Sequence, residues 1–166
     1  MLTLHPHELV RPDATIRYWT GGDTGPTVVL LHGATLDHRA WDPQTEALAE
    51  AFRVVVPDLR GHGESDGRFD FEETVQDILA LLDHGRSPEV VLVGLSLGAN
   101  VAQEVLRRDI ATATRGWAER EPLAEYAVIT GAGHASNLDN PEEFTAVLLE
   151  FLGRATALTA RQELAA

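Results

Sequence analysis

Val90-Val91-Leu92-Val93-Gly94-Leu95-Ser96-Leu97-Gly98 joins a run of strand formers to a Gly-x-Ser-x-Gly turn. A helical pattern begins at once, with Leu97, Val101 and Val105 in one row and Ala102 and Leu106 beside it. A continuous apolar run is the mark of a strand covered on both faces, as in a parallel sheet between helices. Strand, tight turn and helix in this order make the nucleophile-elbow pattern in its proper setting. The spacing has a steric cause. Ser96 must take a strained backbone conformation, and the positions two residues on either side must lack a side chain that would meet packed backbone. The serine hydroxyl then stands above the sheet at a helix N-terminus, where free N–H groups and the helix dipole favour developing negative charge.

The same apolar signature recurs at Thr27–Leu31, 52–57 and 126–130, with a weaker run at 16–20. Helical periodicity fills the gaps over 41–51, 71–82, 97–106 and 140–152. The last of these opens with Asn140-Pro141 and two glutamates, a helix start signal. Alternating strands and helices with short loops predict an α/β fold with right-handed crossovers. The expected form is a three-layer sandwich around a reduced, mostly parallel sheet of about five strands. Residues 1–154 read as one core domain and 155–166 as a helical or frayed tail.

Composition agrees with a globular domain. The chain has 166 residues, 44% hydrophobic and 23% charged. It contains no cysteine, which removes disulfides, thiolate metal sites and a cysteine nucleophile. All 13 basic residues are arginine, so lysine Schiff bases and P-loop lysines are excluded. The formal net charge of -13 argues against nucleic acid or an anionic membrane as partner. The first residues lack the basic start and apolar run of a secretory signal, and no window approaches the ~18 apolar residues of a membrane span. A cytoplasmic protein is the expectation.

A serine nucleophile needs a general base and donors for an oxyanion. Gly131-Ala132-Gly133-His134 follows an apolar run, and parallel strands all end on one side, so His134 is expected at the same edge of the sheet as Ser96. His5, His7, His38 and His84 lie in polar or N-terminal segments without companion chemistry, and His62 sits in a Gly-His-Gly turn. His134 is therefore the expected base. Leu30-Leu31-His32-Gly33-Ala34 ends another strand. A backbone N–H just past that turn offers one half of an oxyanion hole, and the Leu97 N–H offers the other. His32 itself reads as a structural residue.

With these motifs in place, the chain resembles the α/β-hydrolase fold family, in particular its small bacterial esterase and haloperoxidase-like members. The resemblance rests on Leu30-Leu31-His32-Gly33, Pro57-Asp58-Leu59-Arg60-Gly61-His62-Gly63-Glu64-Ser65, Gly94-Leu95-Ser96-Leu97-Gly98 and Gly131-Ala132-Gly133-His134, in the family's order. It implies Ser96 as nucleophile, His134 as base, and the amides of Ala34 and Leu97 as the oxyanion hole. It implies a small-molecule ester as substrate, with neither cofactor nor metal. It makes residues 58–65 a mainly structural loop.

One departure stands out. The family's order is Ser, then Asp or Glu, then His. Between Leu97 and Gly133 this chain has little room beyond one helix and a second helical stretch near 114–120, so neither the acid-bearing strand nor the cap is expected. Glu104 would lie roughly 12 Å along its helix from Ser96, and Asp109 roughly 20 Å. Asp37, Asp58 and Asp139 remain as candidate acids, and each has a plainer reading as a loop or capping residue. The expectation is thus a shortened, lidless serine esterase of weakened activity. The alternative is a non-catalytic or engineered minimal scaffold. An exposed sheet edge or apolar surface in either would favour a homo-oligomer.

Overall fold

The computed structural model describes residues 4–85, 90–112 and 129–163. In chain order the elements are β1 (His5–Val10), β2 (Thr15–Gly21), β3 (Thr27–Leu31), a 3-10 turn (His38–Trp41), α1 (Asp42–Ala49), β4 (Arg53–Pro57) and α2 (Phe71–Gly85). Then come β5 (Val90–Gly94), α3 (Leu97–Thr112), α4 (Ser136–Asp139) and α5 (Pro141–Glu163). The strand order is β1-β2-β4-β3-β5. β3 pairs in parallel with β4 and β5, whereas β2 lies antiparallel to both β1 and β4. The sheet is therefore mixed, and β2 alone runs against the other described strands.

Period-two side-chain alternation explains the three layers. β3 is buried along its whole length. Its Val28 and Leu30, with Val54 and Val56 of β4, pack against Leu48 of α1 and Leu148 and Leu152 of α5. Val29 and Leu31 face the other way, toward Val75, Ile78 and Leu81 of α2 and Val101 and Val105 of α3. Among the described strands β5 stands at the edge, and all five of its residues are only half-buried.

β1 is a strand that the apolar pattern did not reveal. Its side chains are mostly exposed, and its backbone is zipped to β2 from His5 opposite Thr20 to Val10 opposite Thr15. Of the run expected at 126–130, residues 126–128 lie outside the described residues, and Ile129 and Thr130 belong to a loop and turn. The helical stretch expected near 114–120 also lies outside them. α5 continues without a break through Arg154. Among the described residues, no helix is long and apolar enough to cross a membrane.

The loop after β4 is bolted to α2 by a buried ion pair. Arg60 Nε and Nη2 donate to Asp77 Oδ2 and Oδ1 at 2.8 and 3.0 Å. Arg11 Nε adds a bond to Asp77 Oδ1 at 2.9 Å, and Arg60 also pairs with Asp13. Both Arg60 and Asp77 side chains are 1% exposed. Removing one partner strands the other in a low dielectric. Asp77→Ala leaves Arg60 with only the exposed Asp13, so unfolding free energy is expected to fall, by at most about 3–5 kcal/mol, the cost of breaking a buried pair. Urea unfolding measures this, and a loss below about 1 kcal/mol would mean that water reaches Arg60 readily.

Candidate active site

β5 ends at Gly94, and α3 starts at Leu97, so Leu95 and Ser96 alone turn the chain through the elbow. Ser96 has φ +50°, a left-handed conformation rare for a non-glycine residue. Such a residue costs about 1–3 kcal/mol and persists only where its surroundings hold it. Here the Leu95 N–H donates to the Leu31 carbonyl at 2.9 Å, and the Gly98 N–H donates to the Leu95 carbonyl at 2.8 Å. A Cβ on Gly98 would lie 2.1 Å from the Leu31 oxygen, and one on Gly94 would lie 2.4 Å from the Ala99 nitrogen. Neither gap admits a methyl group. The two glycines thus let the helix start press directly on β3 and leave the Ser96 side chain exposed.

The turn after β3 lies against this elbow. A Cβ on Gly33 would stand 3.4 Å from the Leu95 carbonyl oxygen. Leu31 pairs with Gly94 across the two strands, so Ala34 and Leu97 each come three residues past a paired position. Neither of their N–H groups donates a backbone hydrogen bond between elements among the described residues. Thr35, beside Ala34, has φ +64°. His32 is fully buried, and both ring nitrogens are occupied. Nε2 accepts from the Leu59 N–H at 2.9 Å, so Nδ1 carries the proton and donates to the Gly33 carbonyl at 2.8 Å. Burial pushes the His32 imidazole below its ordinary value, and it acts as a neutral strut between two loops.

His134 is exposed in the loop before α4. That loop is closed by its own polar side chains. The Gly133 N–H donates to Asp139 Oδ2 at 2.7 Å, and Asn140 Nδ2 donates to the Thr130 carbonyl at 3.0 Å. Glu143 accepts from the Thr130 N–H and hydroxyl at 3.1 and 2.9 Å. One tie to the rest of the molecule is Asn137, fully buried, whose Nδ2 donates to the Ala40 carbonyl at 2.7 Å. Gln44 Nε2 in turn donates to the Asn137 carbonyl at 2.9 Å. The loop is thereby fastened to the 3-10 turn and α1, which follow the β3 turn. Ser96 and His134 share no hydrogen bond among the described residues.

The three candidate acids have other partners. Asp37 caps the 3-10 turn and pairs with Arg39, which holds its carboxyl down at about 2. Asp139 bonds its own loop. Asp58 is buried at the end of β4. Its Oδ1 accepts from the His38 N–H at 2.6 Å and bonds His38 Nδ1 at 2.9 Å, and its Oδ2 accepts from the Glu64 N–H at 2.7 Å. Glu104 is held by Arg107 and Arg108. None of these carboxylates is bonded to His134 among the described residues.

The His38–Asp58 pair corrects the reading of His38 as a residue without companions. Its ring also stacks on Trp19, with centroids 3.5 Å apart. The pair escaped notice because its members come from different loops and no local spacing signals them. β4 and β5 flank β3, so Asp58 and Ser96 follow the strands on either side of it. Ligand atoms of Asp37, His38 and Asp58 approach within 4.8 Å of one another. Their oxygens already take N–H donors from the protein, so the arrangement reads as a hydrogen-bond network rather than a metal centre.

Acid is expected to weaken the fold through His32. Its folded value is lowered, so the unfolded chain binds the proton first. The stabilisation is complete above about pH 6.5 and fades as pH falls below it. Urea midpoints at pH 7.5 and 5.5 should drop for the native chain and drop less for His32→Gln. A drop as large in His32→Gln as in the native chain would show that His32 does not carry the acid sensitivity.

Residues 28–117 match the sequence profile described as "Alpha/beta hydrolase family". This stretch contains the β3 turn and the elbow, and His134 lies beyond it. The chain is 36% identical over 93 residues to the pimeloyl-[acyl-carrier protein] methyl ester esterase of Aliivibrio salmonicida, covering 54% of this chain and 34% of that protein. It is 33% identical over 84 residues to the 3-oxoadipate enol-lactonase 1 of Acinetobacter baylyi, covering 49% and 32%. A solved structure of a Vigna radiata epoxide hydrolase mutant superposes with a TM-score of 0.59 at 26% identity, covering 64% of this chain and 35% of that one. The match to the curated relatives thus spans only between a quarter and about a third of their length. With the matched profile covering more than half of the chain and the elbow built on a sheet of the same fold, this protein belongs to the alpha/beta hydrolase family.

Proposed function

We propose that the chain is a serine hydrolase of small carboxylic esters. The exposed, strained Ser96 at the glycine-flanked elbow carries this reading. Ser96 Oγ attacks the acyl carbon while His134 takes the hydroxyl proton. The carbonyl oxygen, now negative, is held by the Ala34 and Leu97 amides. Collapse expels the alcohol, protonated by His134, and leaves an acyl-serine. Water, deprotonated by His134, then releases the acid and restores Ser96. No step calls on a cofactor.

The nucleophile also favours acyl substrates over epoxides. A serine that opened an epoxide would become an ether, which water does not cleave by this machinery. An acyl-serine ester is cleaved by reversing the step that formed it. The epoxide hydrolase likeness therefore supports the fold, and the esterase and lactonase relatives support the chemistry. With Asp37, Asp58, Asp139 and Glu104 all held by other groups, a Ser96–His134 dyad is the working unit. Loss of the acid from a serine-protease triad lowers turnover about 10⁴-fold and leaves measurable catalysis. Those same occupied carboxylates favour a second reading, a core of this fold that associates through its β5 edge without turnover.

Hydrolysis of p-nitrophenyl acetate separates the two. Slow turnover is expected from the native chain, none above background from Ser96→Ala, and a fall of about 100-fold or more from His134→Ala. Turnover that survives Ser96→Ala would remove Ser96 as nucleophile. A folded native chain without turnover, running as a dimer in size-exclusion chromatography, would favour the second reading.

A further inference from the structure

We propose that Gln44 and Asn137 are a positioning pair that sets His134 relative to the oxyanion turn. The proposal rests on the ester-hydrolase reading and names what holds its base in place. Both side chains are fully buried. Gln44 Nε2 donates to the Asn137 carbonyl at 2.9 Å, and Asn137 Nδ2 donates to the Ala40 carbonyl at 2.7 Å. The two bonds cross in opposite directions between segments more than ninety residues apart in the chain. One segment follows the β3 turn that carries Ala34, and the other follows His134.

The surroundings make this link matter. The bonds of Asp139 to Gly133, of Asn140 to Thr130 and of Glu143 to Thr130 close residues 130–143 into a ring. A ring closed on itself moves as a unit, so its placement depends on what fastens it from outside. α5 carries the far side of the ring into the core through Leu148 and Leu152. Gln44 and Asn137 supply the polar fastening on the side of His134, and they direct it at the segment bearing the oxyanion turn. The base is thus referenced to the oxyanion turn from its C-terminal side. Neither residue touches substrate. Their effect on the reaction passes through where His134 stands.

The experiment compares the native chain with Gln44→Met, Asn137→Ala and Thr145→Val. Thr145 is a control from the same region, since its buried hydroxyl has no hydrogen-bond partner among the described residues. The readouts are kcat and KM for p-nitrophenyl acetate with and without added imidazole, and hydrogen exchange of the Gly133, Leu138 and Asp139 amides. The proposal expects kcat to fall about tenfold or more in Gln44→Met and Asn137→Ala, with KM within about twofold. Imidazole should restore part of the loss, as it would for a misplaced base, and exchange at those amides should quicken about tenfold while α3 is unchanged. Thr145→Val should match the native chain. Equal kcat in all four proteins, or an equal loss in Thr145→Val, would overturn the proposal. Should the native chain show no turnover, the ester reading fails, and exchange alone decides. Faster exchange confined to the 133–139 amides in Gln44→Met would keep the positioning role, and unchanged exchange would refute it.

Discussion

The Gly98 backbone presses on the Leu31 carbonyl so closely that no side chain fits between them, with a built Cβ only 2.1 Å from that oxygen. Everything at the candidate site depends on that approach. It lets α3 begin immediately after β5, which leaves two residues to reverse the chain and forces Ser96 to φ +50°. It also locks the elbow to β3, the strand buried on both faces between the two helical layers. Because β3 and β5 are parallel and in register, the turn after β3 is delivered beside the elbow. The strain at Ser96 is offset by packing elsewhere in the sheet.

A second set of contacts organises the opposite wall. The 3-10 turn after β3 is held by Asp58 from β4, and it holds the His134 loop through Ala40 and Asn137. His32 braces the same region by bridging Gly33 and Leu59 as a neutral ring. Buried polar groups thus connect the ends of β3 and β4 with α4, although the buried Asn137 Oδ1 has no hydrogen-bond partner among the described residues. Such networks cost little when complete and much when one member is lost. Among the described residues, Asp37, Asp58 and Asp139 hold loops and turns, and none is bonded to His134.

Much of this was legible in the amino-acid order. The runs that became β3, β4 and β5 are apolar because helices cover both faces, and such runs announce themselves without alternation. The glycines at 94 and 98 were readable because a steric rule links them to the serine between them, and the built Cβ distances bear that rule out. β1 was hidden because its side chains face solvent and its pairing to β2 runs through backbone groups, which leave no mark on side-chain pattern. His38 with Asp58, and Gln44 with Asn137, were hidden for a different reason. Each pair is made by the tertiary fold from distant segments, and nothing local in either segment names the other. The burial of Gln44, a polar residue inside α1, is the kind of signal that only three-dimensional packing exposes.

Reaction with a fluorophosphonate, followed by mass mapping of the modified peptide, tests the central claim most directly. The reagent traps a serine only where its hydroxyl is activated and its oxyanion is received. The account predicts a single adduct on Ser96 that is lost in Ser96→Ala and forms more slowly in His134→Ala. An adduct on another residue, or unchanged labelling in Ser96→Ala, would contradict it.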